Sequence, residues 1–593
     1  MSQSTPLFPD RWALTSWFTA FGAPDYSAFR TALEADIAAL LPQASAGTDM
    51  AALLRDYESF GVRLWHLSAY LGALSADDSH NEDVKRDEAW LAGLDAEQEK
   101  LKAILQGRLA ALSAEDFDSL VRTPALADAA HAVGRMRESG RRQMSQEREA
   151  LAADLNVDGL HAWGRLYETL TGKLEFPMTF PDGHLETVPM ARRRALMSEP
   201  DRALRSAAFS DGQKPWDDHA VTFGAALNGI AGTRLTLYKQ RGISHFLDTP
   251  LHDAAMSRAS LEAMMQAIRT HIEIPRRAIR QAAKLQGTPA LHFFDLEAPQ
   301  IPCPDDTPLT WTEACTVVDR SFSSAYPAMG QYFRDMLRQE WIEAQPRPGK
   351  RPGAFCTGSE LRHEERVYMT FHNTVHDMVT LAHEVGHAWH SCVLRPARPF
   401  ASNYPMTLAE TASNFGEMIL LDGLFSDPAL TPATRRWLLD QEMLRAHAYL
   451  LNIPMRYEFE HAFYTESATG EVPVSHLRAL MIQAQRSLYG DTLLPDGCDE
   501  MFWASKMHFF ITGVSFYNFP YTFGYLLSQA LYARFKAEGP SFLPRYESFL
   551  AATGSATCET VARQSLGADL TSPDFWAAGI TALEDKLREY EAG

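Results

Sequence analysis

HDMVTLAHEVGHAWHSCVL, residues 376–394, is the stretch from which the rest of the chain can be read. Met378, Leu381, Ala382, Val385 and Ala388 recur at three- and four-residue spacing, the period of a buried helix. On that helix His383 and His387 are four apart and share one face, so both imidazoles can reach one ion. Glu384 follows the first of them by one position, where it can address a water on that ion without binding the ion itself. His376 and His390 fall in the same narrow arc. With Glu384 in place only two of the four histidines can be ligands, and His376 and His390 read as lining or packed residues.

Zinc held by two imidazoles needs a third protein ligand and one open position for water. One way to supply it puts glycine three and histidine six residues beyond His387, but those places hold His390 and Val393. The other takes a glutamate from a following helix. TLAETASNFGEMILLDG (407–423) offers Glu410 and Glu417, two turns apart on one face. Glu410 is the expected ligand and Glu417 a neighbouring acceptor, with Ser413 and Asn414 able to orient a ligand imidazole through its other nitrogen. The competing reading is a pair of solvated surface carboxylates, which fits poorly with a helix so rich in small and apolar residues. Such a set points to metal-assisted hydrolysis of a peptide bond, Glu384 taking a proton from water and delivering it to the departing amine.

Working outward, VYMTFH (367–372) alternates as a strand does, and GAFCTG (353–358) can pair with it across a turn at 359–364. AQPRPGKRPG (344–353) is a loop. Its Arg347, Lys350 and Arg351 read either as solvated charges or as an attraction for a peptide carboxylate. Helical periodicity dominates elsewhere, over 27–45, 50–75, 83–112, 126–152, 257–286, 311–343, 373–394, 407–422, 434–468 and 521–538. The chain is therefore expected to be mainly α, with one small sheet beside the motif helix. SEPDR and DGQKPW interrupt the pattern near 196–216, which suggests an amino-terminal helical lobe over 1–200 and a catalytic lobe over 201–593.

The bulk numbers narrow the partners. A length of 593 residues exceeds one ordinary hydrophobic core. A formal net charge of −20 argues against nucleic acid and against docking on anionic lipid. Six scattered cysteines, none in a C-x-x-C pair, suggest a reducing compartment. MSQSTPLFPDRWALTSWF lacks the basic and apolar regions of a secretory signal, so a cytoplasmic protein is expected. Phe509–Ala533 carries no charge, yet Asn518, Pro520, Gln529 and four tyrosines make it a better lining for a polar cavity than a membrane span.

GKRPGAFCTG, MTFHNTVHDMVTLAHEVGHAWH, AETASNFGE and HFFITGVSFYNFPYTFGYLL follow one another between Gly349 and the 520s. Together they resemble the oligoendopeptidase F and thimet oligopeptidase family of zinc peptidases. WGRLYETL (163–170), DRALRSAAF (201–209) and LNGIAGTRLTLYKQRG (227–242) are similar to the oligoendopeptidase F branch. The resemblance implies a largely helical zincin, two lobes flanking a deep channel that admits short peptides and excludes folded proteins. It implies one Zn2+ on His383, His387 and Glu410, with Glu384 as base. His508, Tyr517 and Tyr521 would donate hydrogen bonds to the tetrahedral intermediate, the choice among Tyr517, Tyr521 and Tyr525 staying open. Gly353, Ala354 and Phe355 would form the edge strand that pairs with substrate backbone. The expected activity is an endopeptidase on short unstructured peptides. An exopeptidase of the same class and a non-catalytic peptide-binding scaffold are the alternatives.

Overall fold

Pro24 at the first turn, Asp49 accepting from the Ala51 amide and Asn81 accepting from Asp83 and Val84 start three long helices. These are Pro24–Ser45, Met50–Asp77 and Glu82–Ala111. Along the third, Val84, Leu91, Leu94, Leu101, Leu105 and Leu109 keep the three- and four-residue spacing and are buried. They close on Leu53, Leu54, Phe60, Leu64, Leu67 and Leu71 of the second helix and on Leu33, Ile37 and Leu40 of the first. Each such side chain contributes about 1.5–3 kcal/mol on burial.

The computed structural model describes residues 8–46, 49–304 and 309–593. Part of the stretch read for a secretory signal, residues 1–7, lies outside them. The chain divides into two compact units, each built from three stretches. The first comprises Met1–Gln143, Asp306–Pro428 and Leu531–Ala568, and the second Met144–Asp305, Ala429–Ala530 and Asp569–Gly593. The lobe expected over 1–200 contributes to both.

Helices make up most of each unit, and the strands form two small sheets where one was expected. In the second unit β1 (Glu175–Thr179) and β2 (Leu185–Pro189) form an antiparallel hairpin. Phe176 and Met178 point inward, and Gly183, at φ 86°, turns the chain. In the first unit β3 (Ile342–Glu343), β5 (Glu364–Tyr368) and β4 (Phe355–Ser359) lie in that order, β3–β5 parallel and β4–β5 antiparallel. The hairpin of β4 and β5 was legible, but β5 starts three residues earlier than VYMTFH and β3 falls where a helix was expected. EER at the start of β5 hid the strand. Two of those charges are buried and paired, Glu365 accepting from Tyr332 at 2.5 Å and from Arg395, and Arg366 donating to the Ala13 carbonyl at 2.9 Å.

Three expected helices divide. The span 126–152 becomes Ala130–Arg141 and Gln146–Gly159, 257–286 becomes Arg258–Thr270 and Glu273–Leu285, and 311–343 breaks before Pro327. DGQKPW does not interrupt a helix. It lies inside Arg202–Asp218, with Pro215 accommodated near the end of the helix and buried. The uncharged stretch from Phe509 folds into a short turn at Met507–Phe510, an irregular segment and the helix Phe519–Glu538. No helix among the described residues is long and apolar enough to cross a membrane. None of the six cysteines is in a disulfide.

Candidate metal centre

Thr374 and Asp377 cap the helix Val375–Leu394 reciprocally, the Asp377 carboxylate also accepting the His372 amide at 2.9 Å. Met378, Leu381, Ala382, Val385 and Ala388 bury one side of this helix. The helix Met406–Phe425 packs along it, and two glycines allow the approach. A Cβ on Gly386 would sit 2.5 Å from the Ala412 carbonyl oxygen, and one on Gly416 would sit 2.9 Å from that of Ala382. Backbone on backbone at this distance carries Glu410 to the two histidines.

The donor atoms converge. The Nε2 atoms of His383 and His387 are 3.2 Å apart. Glu410 Oε2 lies 3.3 Å from the first and 3.6 Å from the second. A tetrahedral zinc with bonds of about 2.0–2.1 Å spaces its ligands by about 3.3–3.4 Å, so the triangle fits that ion. Each donor is held from behind. His383 Nδ1 donates to Glu417 Oε1 at 2.5 Å, and Glu417 is buried, so the metal-facing nitrogen carries the lone pair. The His387 imidazole bonds the Ala409 carbonyl. Ser413 Oγ donates to Glu410 Oε2 at 2.9 Å. Asn414 is buried on the same helix, but it is Ser413 that steadies a donor, and the donor is the carboxylate rather than an imidazole.

Glu384 is buried next to these groups. Burial, with a smaller push from the Glu410 charge, raises its carboxyl to about 7, against the pull of His383 and the Cys356 amide that bonds it. A carboxyl poised there can take and return a proton near neutrality. The Cys356 amide belongs to β4, the edge strand of its sheet, so β4 and the helix meet at this carboxyl. Gly353, at φ 100°, turns the chain into β4, Ala354 precedes the strand and Phe355 begins it.

His390 is fully buried, with Nε2 2.9 Å from Thr553 Oγ1 and its ring stacked on Tyr404 at 4.3 Å. It is a packed residue, and His376 is exposed on the first turn. Two of the three loop cations are paired rather than solvated, while Arg351 is exposed. Lys350 donates to Glu343, to the Gln345 carbonyl and, at 2.7 Å, to the Met369 carbonyl, and Arg347 bonds Glu343 and Asp77. They fasten the loop to a buried carboxylate. Sequence gave no sign of this, because Glu343 sits in what looked like a helix.

In the second unit His508, Tyr517 and Tyr521 form a ring cluster, with centroids 5.7 Å apart for His508–Tyr517, 6.4 Å for His508–Tyr521 and 5.2 Å for Tyr517–Tyr521. Burial, helped by the charges of Arg456 and Lys506, lowers the His508 imidazole to about 4, so it is neutral at pH 7. Glu460 accepts from the Phe516 amide at 2.9 Å and from Asn518 at 2.6 Å, which pins the segment carrying Tyr517. Tyr525 is buried and stacked on Tyr449 at 4.5 Å, outside this cluster.

Residues 316–581 match the family described as Peptidase family M3, and residues 108–176 match Oligopeptidase F. Oligopeptidase PepF of Bacillus subtilis is 24% identical over 469 residues, 78% of this chain and 68% of its own. Group B oligopeptidase PepB of Streptococcus agalactiae is 24% identical over 494 residues, 81% of this chain and 79% of its own. A solved structure from Chlamydophila abortus has a TM-score of 0.86 at 20% identity, covering 100% of this chain and 99% of that one. Oligoendopeptidase F from Enterococcus faecium has a TM-score of 0.69 at 19% identity, covering 95% and 98%. At these identities the structural likeness speaks for the shared helical fold.

Proposed function

Because the chain belongs to peptidase family M3, and so is a metallopeptidase, we propose that it is a zinc-dependent oligoendopeptidase that cleaves internal bonds of short unstructured peptides. The observation that carries this reading is the convergence of three steadied donor atoms beside the buried carboxyl of Glu384. His383, His387 and Glu410 would hold the ion. When bound, zinc supplies a Lewis acid that acidifies water and polarises a carbonyl. Two neutral nitrogens and one carboxylate oxygen would also accept cobalt or manganese.

Glu384 takes the proton of the attacking water and returns it to the leaving amine. Its depth in the protein keeps bulk water from competing for that proton. Ala354 and its neighbours Gly353 and Phe355 would pair with substrate backbone, giving affinity with little demand on side chains. His508, neutral and able to donate one N–H, would stabilise the developing oxyanion together with the phenols of Tyr517 and Tyr521. Asn414 would support the Glu410 helix from within. The relatives' names, oligopeptidases, favour short peptides as substrate, and a cytoplasmic location accords with six cysteines that form no disulfide.

A quenched fluorescent peptide blocked at both ends tests the proposal. Cleavage should stop with a chelator, return with Zn2+ and give two internal fragments by mass spectrometry. Glu384→Gln should lower kcat by about 100- to 10,000-fold while zinc content is kept. Cleavage indifferent to chelator would remove the metal, full activity in Glu384→Gln would remove the base, and release of terminal residues alone from unblocked peptides would make the enzyme an exopeptidase.

A further inference from the structure

Along an antiparallel pair, alternate residues turn their N–H and C=O away from the partner strand. Two bonds fix which residues of β4 do so. The Cys356 amide meets Glu384, and the Gly358 carbonyl accepts from Trp65 Nε1 at 3.0 Å. The outward set is therefore Ala354, Cys356 and Gly358, and its last carbonyl is already taken by an indole. A peptide pairing with this edge can use Ala354 and the carbonyl of Cys356, whose amide Glu384 already holds, but must end at Trp65.

Trp65 does not need to be tryptophan for packing. Its neighbours Leu64 and Leu67 are buried in the helical core, and His66 Nδ1 lies 2.7 Å from Ser359 Oγ, which already ties the helix Met50–Asp77 to the end of β4. Farther along, the Ala76 carbonyl accepts from the Arg351 amide. Trp65 is nevertheless 55% exposed, a large apolar ring standing in solvent at the end of a strand edge.

We propose that Trp65 closes the peptide-binding edge of β4 and selects an aromatic or large aliphatic substrate side chain about two residues from the cleaved bond. The distance follows from the register. Glu384 acts where Cys356 lies, and Gly358 is two residues on, about 6.6 Å along the strand. A side chain there meets the exposed indole face, and offset or edge-on ring contact favours aromatics beyond their area alone. Only one side of the scissile bond faces Trp65, so the preference is one-sided. This rests on β4 being the substrate strand, as proposed above.

The test is product mapping of a mixed library of end-blocked peptides with the full-length protein, followed by kinetics on a matched pair with phenylalanine or alanine at the selected position. Wild type should enrich aromatic and large aliphatic residues two positions from the bond, on one side. Trp65→Ala should lower kcat/KM about tenfold more for the phenylalanine peptide than for the alanine peptide, through KM. Trp65→Phe, which keeps a ring and loses the N–H, should retain the preference. A flat wild-type profile, equal losses for both peptides in Trp65→Ala, or loss of selection in Trp65→Phe overturns the proposal. Ala354→Pro separates the two readings, because it should raise KM for every peptide alike. If it does not, the strand assignment falls. If it does and Trp65→Ala leaves the profile intact, only the role of Trp65 falls.

Discussion

The bond from His383 Nδ1 to Glu417 acts on the opposite nitrogen. It fixes the tautomer, stops the ring from turning and raises the basicity of Nε2. Glu417→Gln keeps an acceptor but loses its charge, so metal affinity should drop less than in Glu417→Ala, for which about 10- to 100-fold is expected in competition with a graded chelator. Glu410→Ala should cost more than either, and the reverse order would assign the metal bond to Glu417. Residue types and spacing alone brought these two carboxylates to notice. They could not tell that Ser413 would bond the Glu410 carboxylate, nor that Asn414 would not, because Ser413 and Asn414 lie one position apart on a helix whose rotation is set by tertiary packing.

At the scale of the element, the decisive contact is glycine against backbone. Gly386 stands inside the motif itself, and a methyl there would meet the Ala412 oxygen at 2.5 Å and the Ser413 Cα at 2.6 Å. Gly386→Ala should therefore separate the two helices, costing about 1–3 kcal/mol and weakening metal binding together with thermal stability. Gly232→Ala is the matched control, since that helical glycine has nothing within 4 Å of a built Cβ and the change should be neutral or stabilising by up to about 1 kcal/mol. Equal melting temperatures for the two variants would show that the helix approach is not what Gly386 secures. The helix Val375–Leu394 was legible to within two residues because its caps are local, Thr374 and Asp377. The hairpin of β1 and β2 was not, although Pro181-Asp182-Gly183 between alternating residues is a turn signal. Its strands are short and half exposed, so their burial pattern carries little periodic weight.

Over the whole molecule, each compact unit draws on three separate stretches of chain. Such interleaving leaves no single change of composition to mark a boundary: SEPDR does separate a helix ending at Leu196 from one starting at Arg202, but DGQKPW lies inside the second of these. Charge is the property that the sequence reports at this scale without any fold. At −20 the protein carries a field that attracts cationic ligands and repels anionic ones, within a screening length of about 10 Å at 0.1 M salt. If that field reaches the peptide-binding edge, kcat/KM for a lysine-rich peptide should fall as salt rises from about 0.02 to 0.3 M, that for a glutamate-rich peptide should rise, and that for a neutral peptide of the same length should hold steady. The order should appear in kcat/KM rather than kcat, because long-range attraction speeds encounter and leaves the bound complex unchanged. Salt curves that run parallel for all three peptides would mean that the acidic surface lies where substrate does not pass, and that local groups such as Lys350 and Arg347, already neutralised by Glu343 and Asp77, leave the edge itself uncharged.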